Sequence, residues 1–243
     1  SFQTDMMLDA ELACVVRRFA TTPAARALGG TRRRLLEDLL REFRRNGLEL
    51  PPAGQARLRE LNDELNRAAQ DFSRNLAEAR GVLRVAPSRL RGLPEAFLAV
   101  HAPEADGLVT VTTDYPDYFP VVSYADDREL ARELNALFDS RAASENVPLL
   151  ERVLALRAEK AQLLGYATWA DYVLEPRMAR STAAVREFLA GAAEAVREPG
   201  RREYREFQAE RGVALGVDPE LQIPVYDRLY LEQRLRAKKY GFD

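Results

Sequence analysis

Apolar residues recur with helical spacing along most of this 243-residue chain, and that periodicity limits the folds open to it. In the clearest case, one helix face carries Leu35, Leu36, Leu39, Leu40 and Phe43. Similar stripes elsewhere predict a mainly α protein, a multi-helix, bundle-like lobe with a small inserted β-hairpin or sheet. The long helices are predicted at about 31–46, 53–80, 127–142, 147–164, 182–197 and 226–240.

Capping and breaking residues mark several of these helix ends. Pro51-Pro52 opens the second helix, and Gly165 ends the fourth. Asp126 is predicted to cap the third helix while Glu129 reaches back to it, as in a capping box. Pro199-Gly200 is predicted to interrupt the fifth helix.

One region, at about residues 82–124, has the character of β structure. Residues 108–113 alternate and are rich in β-branched side chains, and residues 118–124 are aromatic and apolar. Tyr115-Pro116-Asp117 between them is typical of a turn, so we expect a hairpin here. Residues 82–85 form a further candidate strand.

Composition and charge exclude several classes of protein. The net charge of −2 provides no overall field for nucleic acid or an anionic membrane. No segment approaches the roughly 20 apolar residues of a membrane-spanning helix, and the first residues show no signal peptide. We therefore expect a cytoplasmic protein, and because it begins with Ser1 we expect the chain to start in mid-protein. The single Cys14 forbids an intrachain disulfide and is expected to be a buried structural thiol.

Histidine content restricts metal chemistry. A zinc peptidase helix of the His-Glu-x-x-His type needs two imidazoles one helical turn apart and a third protein ligand. This sequence contains only His101, which we expect in a solvent-facing loop without a role. The sequence thus predicts no catalytic residue and no metal ligand, and leaves the substrate-binding residues unknown.

Arginine supplies nearly all of the positive charge, and it is densest between residues 32 and 45. Glu37, Asp38 and Glu42 offset these arginines, so the pattern predicts a salt-bridged helix surface rather than a nucleic-acid site. Gly29-Gly30-Thr31 just before them lacks the spacing of a phosphate-binding loop and indicates a helix start.

Three stretches of sequence have a familiar order and spacing. They read RRNGLELP at 44–51, leading into a helix that ends DFSRNL at 71–76; DYPDYFPV at 114–121; and LALRAEKAQLLGY at 154–166, continuing into ADYVLEPRMA at 170–179. In these blocks the chain resembles the thimet oligopeptidase family of zinc metallopeptidases, which includes neurolysin, oligopeptidase A and dipeptidyl carboxypeptidase. A weaker likeness lies at Pro224-Val225-Tyr226-Asp227 with Tyr230, where the family commonly has tryptophan before the Asp.

The resemblance implies a two-lobed, largely helical peptidase with a deep channel that admits short peptides. It implies zinc in the whole enzyme, where a zinc-bound water attacks the scissile carbonyl with a Glu as base. The zinc-binding helix would lie after Asp243, so this chain is expected to be an interior fragment that is inactive by itself. Its partners would be short peptides and the missing catalytic lobe, and an apolar face left uncovered would promote self-association. Some matched aromatic residues are expected in the core, and others along the channel wall.

Two other functions remain open from the residues alone. A natural paralogue could keep the helical scaffold, lose catalysis and bind peptides or a protein. A helical nucleic-acid binder would depend on the arginines between residues 32 and 45.

Overall fold

A computed structural model describes Met6 and residues 8–241 of the chain. The described part is mainly helical with one small antiparallel sheet, which confirms the predicted fold class. The helices are α1 Ala10–Ala20, α2 Pro23–Arg26, α3 Gly30–Arg45, α4 Pro52–Glu78, α5 Glu95–Val100, α6 Tyr115–Tyr124, α7 Arg128–Asp139, α8 Ala143–Leu163, α9 Trp169–Leu174, α10 Thr182–Leu215 and α11 Arg228–Tyr240. The strands are β1 Val82–Val85 and β2 Val109–Thr112, and 3-10 turns lie at Pro87–Leu90 and Val225–Asp227.

The chain folds into two compact units. Unit 1 comprises Ser1–Asp71 and Val147–Val185, and unit 2 comprises Phe72–Asn146 and Arg186–Asp243. Each unit has its own buried apolar side chains, as expected for a chain of this length.

In unit 1 the apolar stripes of α3, α4 and α8 supply the core. Phe43, Leu61 and Leu156 are almost completely buried. Gly47 turns the chain out of α3 with φ +80, and a Cβ there would meet Leu58 at 2.3 Å, so only glycine fits this turn.

Ion pairs fasten α4 to α8 on the outside of unit 1. Arg57 Nε lies 2.6 Å from Glu159 Oε1, and Arg152 pairs with Glu64. These side chains are 28–56% exposed to solvent, so each pair adds little stability and chiefly fixes how the two helices align.

The core of unit 2 lies between the small sheet and the helices α6 and α7. Strand β1 pairs with β2 in the register Val82↔Thr112 to Val85↔Val109. The buried cluster consists of Val85, Leu90, Leu93, Phe97, Val109, Val111, Tyr118, Val121, Val122, Ala125, Leu130, Ala131 and Leu134.

The predicted hairpin between residues 108–113 and 118–124 is wrong in its second strand. Residues 115–124 form helix α6, with Pro116 in its first turn, where the missing N–H costs nothing. Tyr118, Val121 and Val122 are buried because they share one helical face at spacings of three and four. Strand β2 pairs instead with residues 82–85, the further candidate strand.

Two predicted helix ends are also wrong. Asp127, not Asp126, caps α7 by accepting a hydrogen bond of 3.0 Å from the Leu130 N–H, and Glu129 pairs with Arg132 instead of reaching back. Helix α10 continues through Pro199-Gly200 to Leu215, since one proline removes a single helical hydrogen bond and its neighbours retain theirs.

Cys14 does not have the predicted buried position. It lies on the exposed side of α1, whereas the neighbouring Ala13 is fully buried. None of the helices in the described part of the chain is both long and apolar enough to cross a bilayer.

Candidate functional site

The first and third matched blocks meet in unit 1 around one carboxylate. Glu175 lies just after α9 and forms ion pairs with Arg44 and Arg45 at the end of α3. Arg44 pairs with Glu175 Oε1, and Arg45 Nη1 lies 3.2 Å from Glu175 Oε2. The hydroxyl of Tyr166 donates to Glu175 Oε2 at 2.5 Å. We call Arg44, Arg45, Tyr166, Tyr172 and Glu175 the Glu175 cluster.

Aromatic rings complete the Glu175 cluster. Arg45 lies over the ring of Tyr172, 4.1 Å from its centroid, and Arg45 Nη1 donates to the Tyr172 carbonyl at 2.5 Å. Tyr166 meets the same ring edge-on at a centroid distance of 5.2 Å. The guanidinium of Arg45 thus contacts a carboxylate, a carbonyl and a ring face at once. The planar, forked guanidinium of arginine permits this combination, whereas the ammonium of lysine does not.

The electrostatics of this cluster follow from its half-buried position. Burial by itself raises the pKa of Glu175, but hydrogen bonds from Tyr166 and Arg45 and the charge of Arg44 outweigh it and lower the pKa below its usual range. Burial, together with the neighbouring carboxylate, raises the pKa of Tyr166. The cluster therefore holds an ionised carboxylate and a neutral phenol at neutral pH, which suits a structural clamp better than acid-base catalysis.

Beside the cluster, Lys160 and Trp169 extend the same packing. Lys160 Nζ donates to Asn62 Oδ1 at 2.6 Å and lies 5.8 Å from the Trp169 ring centroid. Burial, and then the charge of Arg45, lower the pKa of Lys160. Trp169 and Tyr172 lie one turn apart on α9 and contact each other at 5.0 Å between centroids.

In unit 2 the weaker matched motif surrounds a buried carboxylate, Asp227. Its side chain is 1% exposed and lies between two arginines, with Arg128 Nε at 2.9 Å and Arg211 Nε at 3.0 Å. Arg128 also donates to the carbonyls of Val122, Ala125 and Tyr226 and covers the ring of Tyr230 at 4.3 Å. These contacts join α7, α10 and the turn before α11 and give the Asp227 centre a structural role.

The second matched block has its own polar contacts in unit 2. Asp117 accepts hydrogen bonds from the N–H and the hydroxyl of Thr112, at 2.9 and 2.6 Å. Its other oxygen lies 3.0 Å from Nε2 of His101.

The prediction of an exposed His101 without a role is therefore wrong. The His101 ring stacks on Phe97 at 3.9 Å, and Nδ1 donates to the Phe97 carbonyl at 2.8 Å. The ring fastens the end of α5 to the first turn of α6, because both of its nitrogens face oxygen acceptors.

None of these clusters fits a zinc ion. Among the residues that the structure describes, no three His, Cys, Asp or Glu side chains come close enough to hold a metal. The best candidate ligands are already engaged, since His101 is bound to Asp117 and the carboxylates of Glu175 and Asp227 are paired with arginines.

Sequence reasoning missed the Glu175 cluster and the Asp227 centre as sites. It singled out both stretches of the Glu175 cluster by their resemblance, but Arg45 and Glu175 are 130 positions apart and no local pattern links them. It also singled out Asp227 but not Arg128 or Arg211, because arginine is so abundant in this chain that no single one stands out.

Comparisons with known proteins support the family resemblance. The model of peptidase family M3 matches residues 121–243. Oligopeptidase A of Salmonella typhimurium is 30% identical over 230 residues, which cover 88% of this chain and 33% of that protein. Saccharolysin of Saccharomyces cerevisiae is 27% identical over 219 residues, covering 86% of this chain and 30% of that protein.

A plant relative gives the same result. The organellar oligopeptidase A of Arabidopsis thaliana is 27% identical over 241 residues, covering 91% of this chain and 30% of that protein. The chain thus spans about a third of the length of these relatives. Because the family model covers half of the sequence, the chain belongs to peptidase family M3.

Proposed function

We propose that this chain is part of a zinc-dependent metallo-oligopeptidase that hydrolyses short peptides, and that it supplies scaffold and part of the substrate channel wall. The observation that supports this most directly is membership of peptidase family M3 with a match to only a third of the relatives' length. The zinc and its ligands are proposed to lie in the rest of the protein, since the described residues offer no metal site. The chain alone is proposed to be inactive.

An exposed apolar stripe on α10 supports a missing partner lobe. Residues 186–206 are exposed on every face, and four of them form a stripe that spans about a quarter of the helix circumference. This α10 stripe consists of Phe188, Leu189, Ala192 and Val196. Phe188 is 74% exposed and Val196 62%, so the stripe has the apolar character of a surface covered by other protein.

Two aromatic residues of the second matched block are proposed to line the channel. Tyr115 and Phe119 are 60% and 44% exposed, with ring centroids 5.2 Å apart, whereas Tyr118 between them is buried. Adjacent exposed rings offer a peptide both apolar contact and ring edges, so this pair suits a channel wall.

We place the whole protein in the cytoplasm and assign it no nucleic-acid partner. One cysteine in 243 residues suits a reducing compartment. The arginines of α3 support the second point, because Arg33 pairs with Glu37 at 2.7 Å and Arg41 with Asp38, which neutralises much of that surface.

The first test is to express the complete product of the gene that encodes this segment, beside the 243-residue chain, and to assay both with a quenched fluorescent peptide. We expect the gene product to cleave the peptide, to lose activity with a chelator and to regain it with zinc, while the chain alone does nothing. Chelator-sensitive cleavage by the chain alone would contradict the proposal. A reading frame that ends at Asp243 would also contradict the proposal, and would favour instead a non-catalytic paralogue that binds peptides or protein.

The α10 stripe gives a second test. We expect the chain to self-associate in sedimentation experiments, and the double variant F188S/L189S to shift it towards monomer. The matched control is L98S/V100S, which removes two other exposed apolar side chains in unit 2. Equal effects of the two double variants would show that the α10 stripe has no special role.

A further inference from the structure

Unit 1 contains a cavity whose lining is dominated by arginine. It has a volume of about 710 Å³ and lies between α3 and the segment that follows α9. We call this cavity the arginine groove; its lining residues include Arg33, Arg34, Arg41, Arg177, Arg180 and the exposed Met178.

The acidic residues of the groove are already neutralised. Glu37 pairs with Arg33 at 2.7 Å, and Asp38 pairs with Arg41 and, at 3.8 Å, with Arg34. Glu175 also borders the groove, but its oxygens are held by Arg44, Arg45 and Tyr166 of the Glu175 cluster. None of the three carboxylates is left to balance the remaining arginines.

Two arginines of the groove remain without a counter-ion. Neither the Arg177 nor the Arg180 side chain forms an ion pair with any described residue, and both are exposed. Backbone hydrogen bonds fix the turn that presents them, with the Arg180 N–H donating to the Arg177 carbonyl at 3.1 Å. This turn therefore contributes two guanidinium groups that have no counter-ion among the described residues.

Arg41 also has a hydrogen-bond donor at the groove that no described residue satisfies. Its Nε is buried and has no hydrogen-bond acceptor in the described protein, although the other end of the same guanidinium pairs with Asp38. Buried N–H groups in folded proteins are almost always paired, so an acceptor atom is expected here.

We propose that the arginine groove binds the carboxylate of a peptide, with Arg177 and Arg180 as the principal donors. Arginine binds a carboxylate through two parallel N–H···O bonds, which fits a groove with two unpaired guanidinium groups. Two guanidinium groups without a counter-ion among the described residues suit one or two carboxylates rather than a polyanion. Met178, fully exposed beside the two arginines, offers apolar contact to a neighbouring peptide side chain.

The inference rests on the proposed peptidase function, which supplies the peptide as ligand, and it can be tested without catalysis. Three fluorescently labelled peptides of one length are titrated against the chain in low salt by fluorescence anisotropy. One has acidic side chains and an amidated C-terminus, one is neutral with a free C-terminal carboxylate, and one is neutral and amidated. We expect the neutral amidated peptide to bind weakest, and whichever of the other two binds tighter identifies the source of the carboxylate.

The variants R177A and R180G test the groove directly. Glycine suits position 180 because Arg180 has φ +58, and both side chains are exposed, so neither change is expected to unfold the chain. Together they should weaken binding of the carboxylate peptides about tenfold or more and leave the neutral amidated peptide unaffected. The matched control is R18A/R59A, two exposed arginines of unit 1 outside the groove.

The inference is overturned if none of the peptides binds, if the control pair weakens binding equally, or if inorganic phosphate binds at the groove while the carboxylate peptides do not. Circular dichroism melts of each variant show whether it is folded. Groove-dependent binding by a chain whose complete gene product cleaves no peptide would refute the peptidase proposal and leave the carboxylate site standing. An active gene product without groove-dependent binding would support the peptidase proposal and refute the carboxylate site.

Discussion

Removing the carboxylate of Asp227 is expected to destabilise unit 2 strongly. Asp227 is 1% exposed, and its partners Arg128 and Arg211 have side chains only 11% and 12% exposed. In D227A two buried guanidinium groups lose their counter-ion and repel each other, and breaking a buried ion pair of this kind costs about 3–5 kcal/mol. Arg211 loses more, because its Nη1 already has no hydrogen-bond partner among the described residues, whereas Arg128 keeps three backbone carbonyls.

The assay is urea unfolding followed by circular dichroism, with thermal melting as a second measurement. At roughly 2–4 °C per kcal/mol, D227A should melt about 6–20 °C below the parent. D227N should fall between the two, because the amide oxygen can still accept one hydrogen bond. The fluorescence of Trp169, the single tryptophan, reports separately on unit 1.

The control is E198A, which breaks the exposed pair between Glu198 and Arg201 on α10. An ion pair between side chains that are more than 60% exposed is worth under about 1 kcal/mol. If D227A costs no more than E198A, the Asp227 centre is not an organising element of unit 2 and the reasoning is refuted.

Three further changes test the backbone and the Glu175 cluster. In G92A the new Cβ would lie 2.5 Å from the Tyr124 carbonyl oxygen at φ +87, so we expect a loss of about 2 kcal/mol or more by urea unfolding; G107A, at φ +79 in open space, should lose only about 1 kcal/mol. In E175Q we expect a loss of about 2 kcal/mol at pH 7. Because the folded pKa of Glu175 is lowered, its contribution is present above the unfolded pKa of about 4.3 and disappears as the pH falls through the folded value, so E175Q and the parent should converge in acid; a difference that does not change with pH would contradict this. P199A should raise the helical circular dichroism signal and stabilise α10 by up to about 3 kcal/mol, whereas an unchanged signal would mean that the proline is accommodated without cost.

The sequence predicted elements well where neighbouring residues determine them. The stripe from Leu35 to Phe43 predicted a helix at about 31–46, and α3 spans Gly30–Arg45. The prediction for residues 118–124 was wrong because their aromatic and β-branched composition favours a strand, whereas the spacing of Tyr118, Val121 and Val122 buries a helical face in unit 2. In this case packing against the core outweighed local propensity.

The candidate sites were harder to predict because their residues are distant in sequence. The sequence by itself determined the helical character, the family resemblance of the matched blocks and the lack of a second histidine for a zinc helix, since each of these depends on residue types and short spacings. Only the tertiary structure decided that Arg45 reaches Glu175 and that Asp227 lies between Arg128 and Arg211. It also decided that Arg177 and Arg180, beside α3, find no ion-pair partner among the described residues. The physical reason is that the strength of an ion pair depends on distance and burial, which are set only once the helices have packed. In a chain with so many arginines, the sequence alone does not indicate which arginine pairs with which carboxylate.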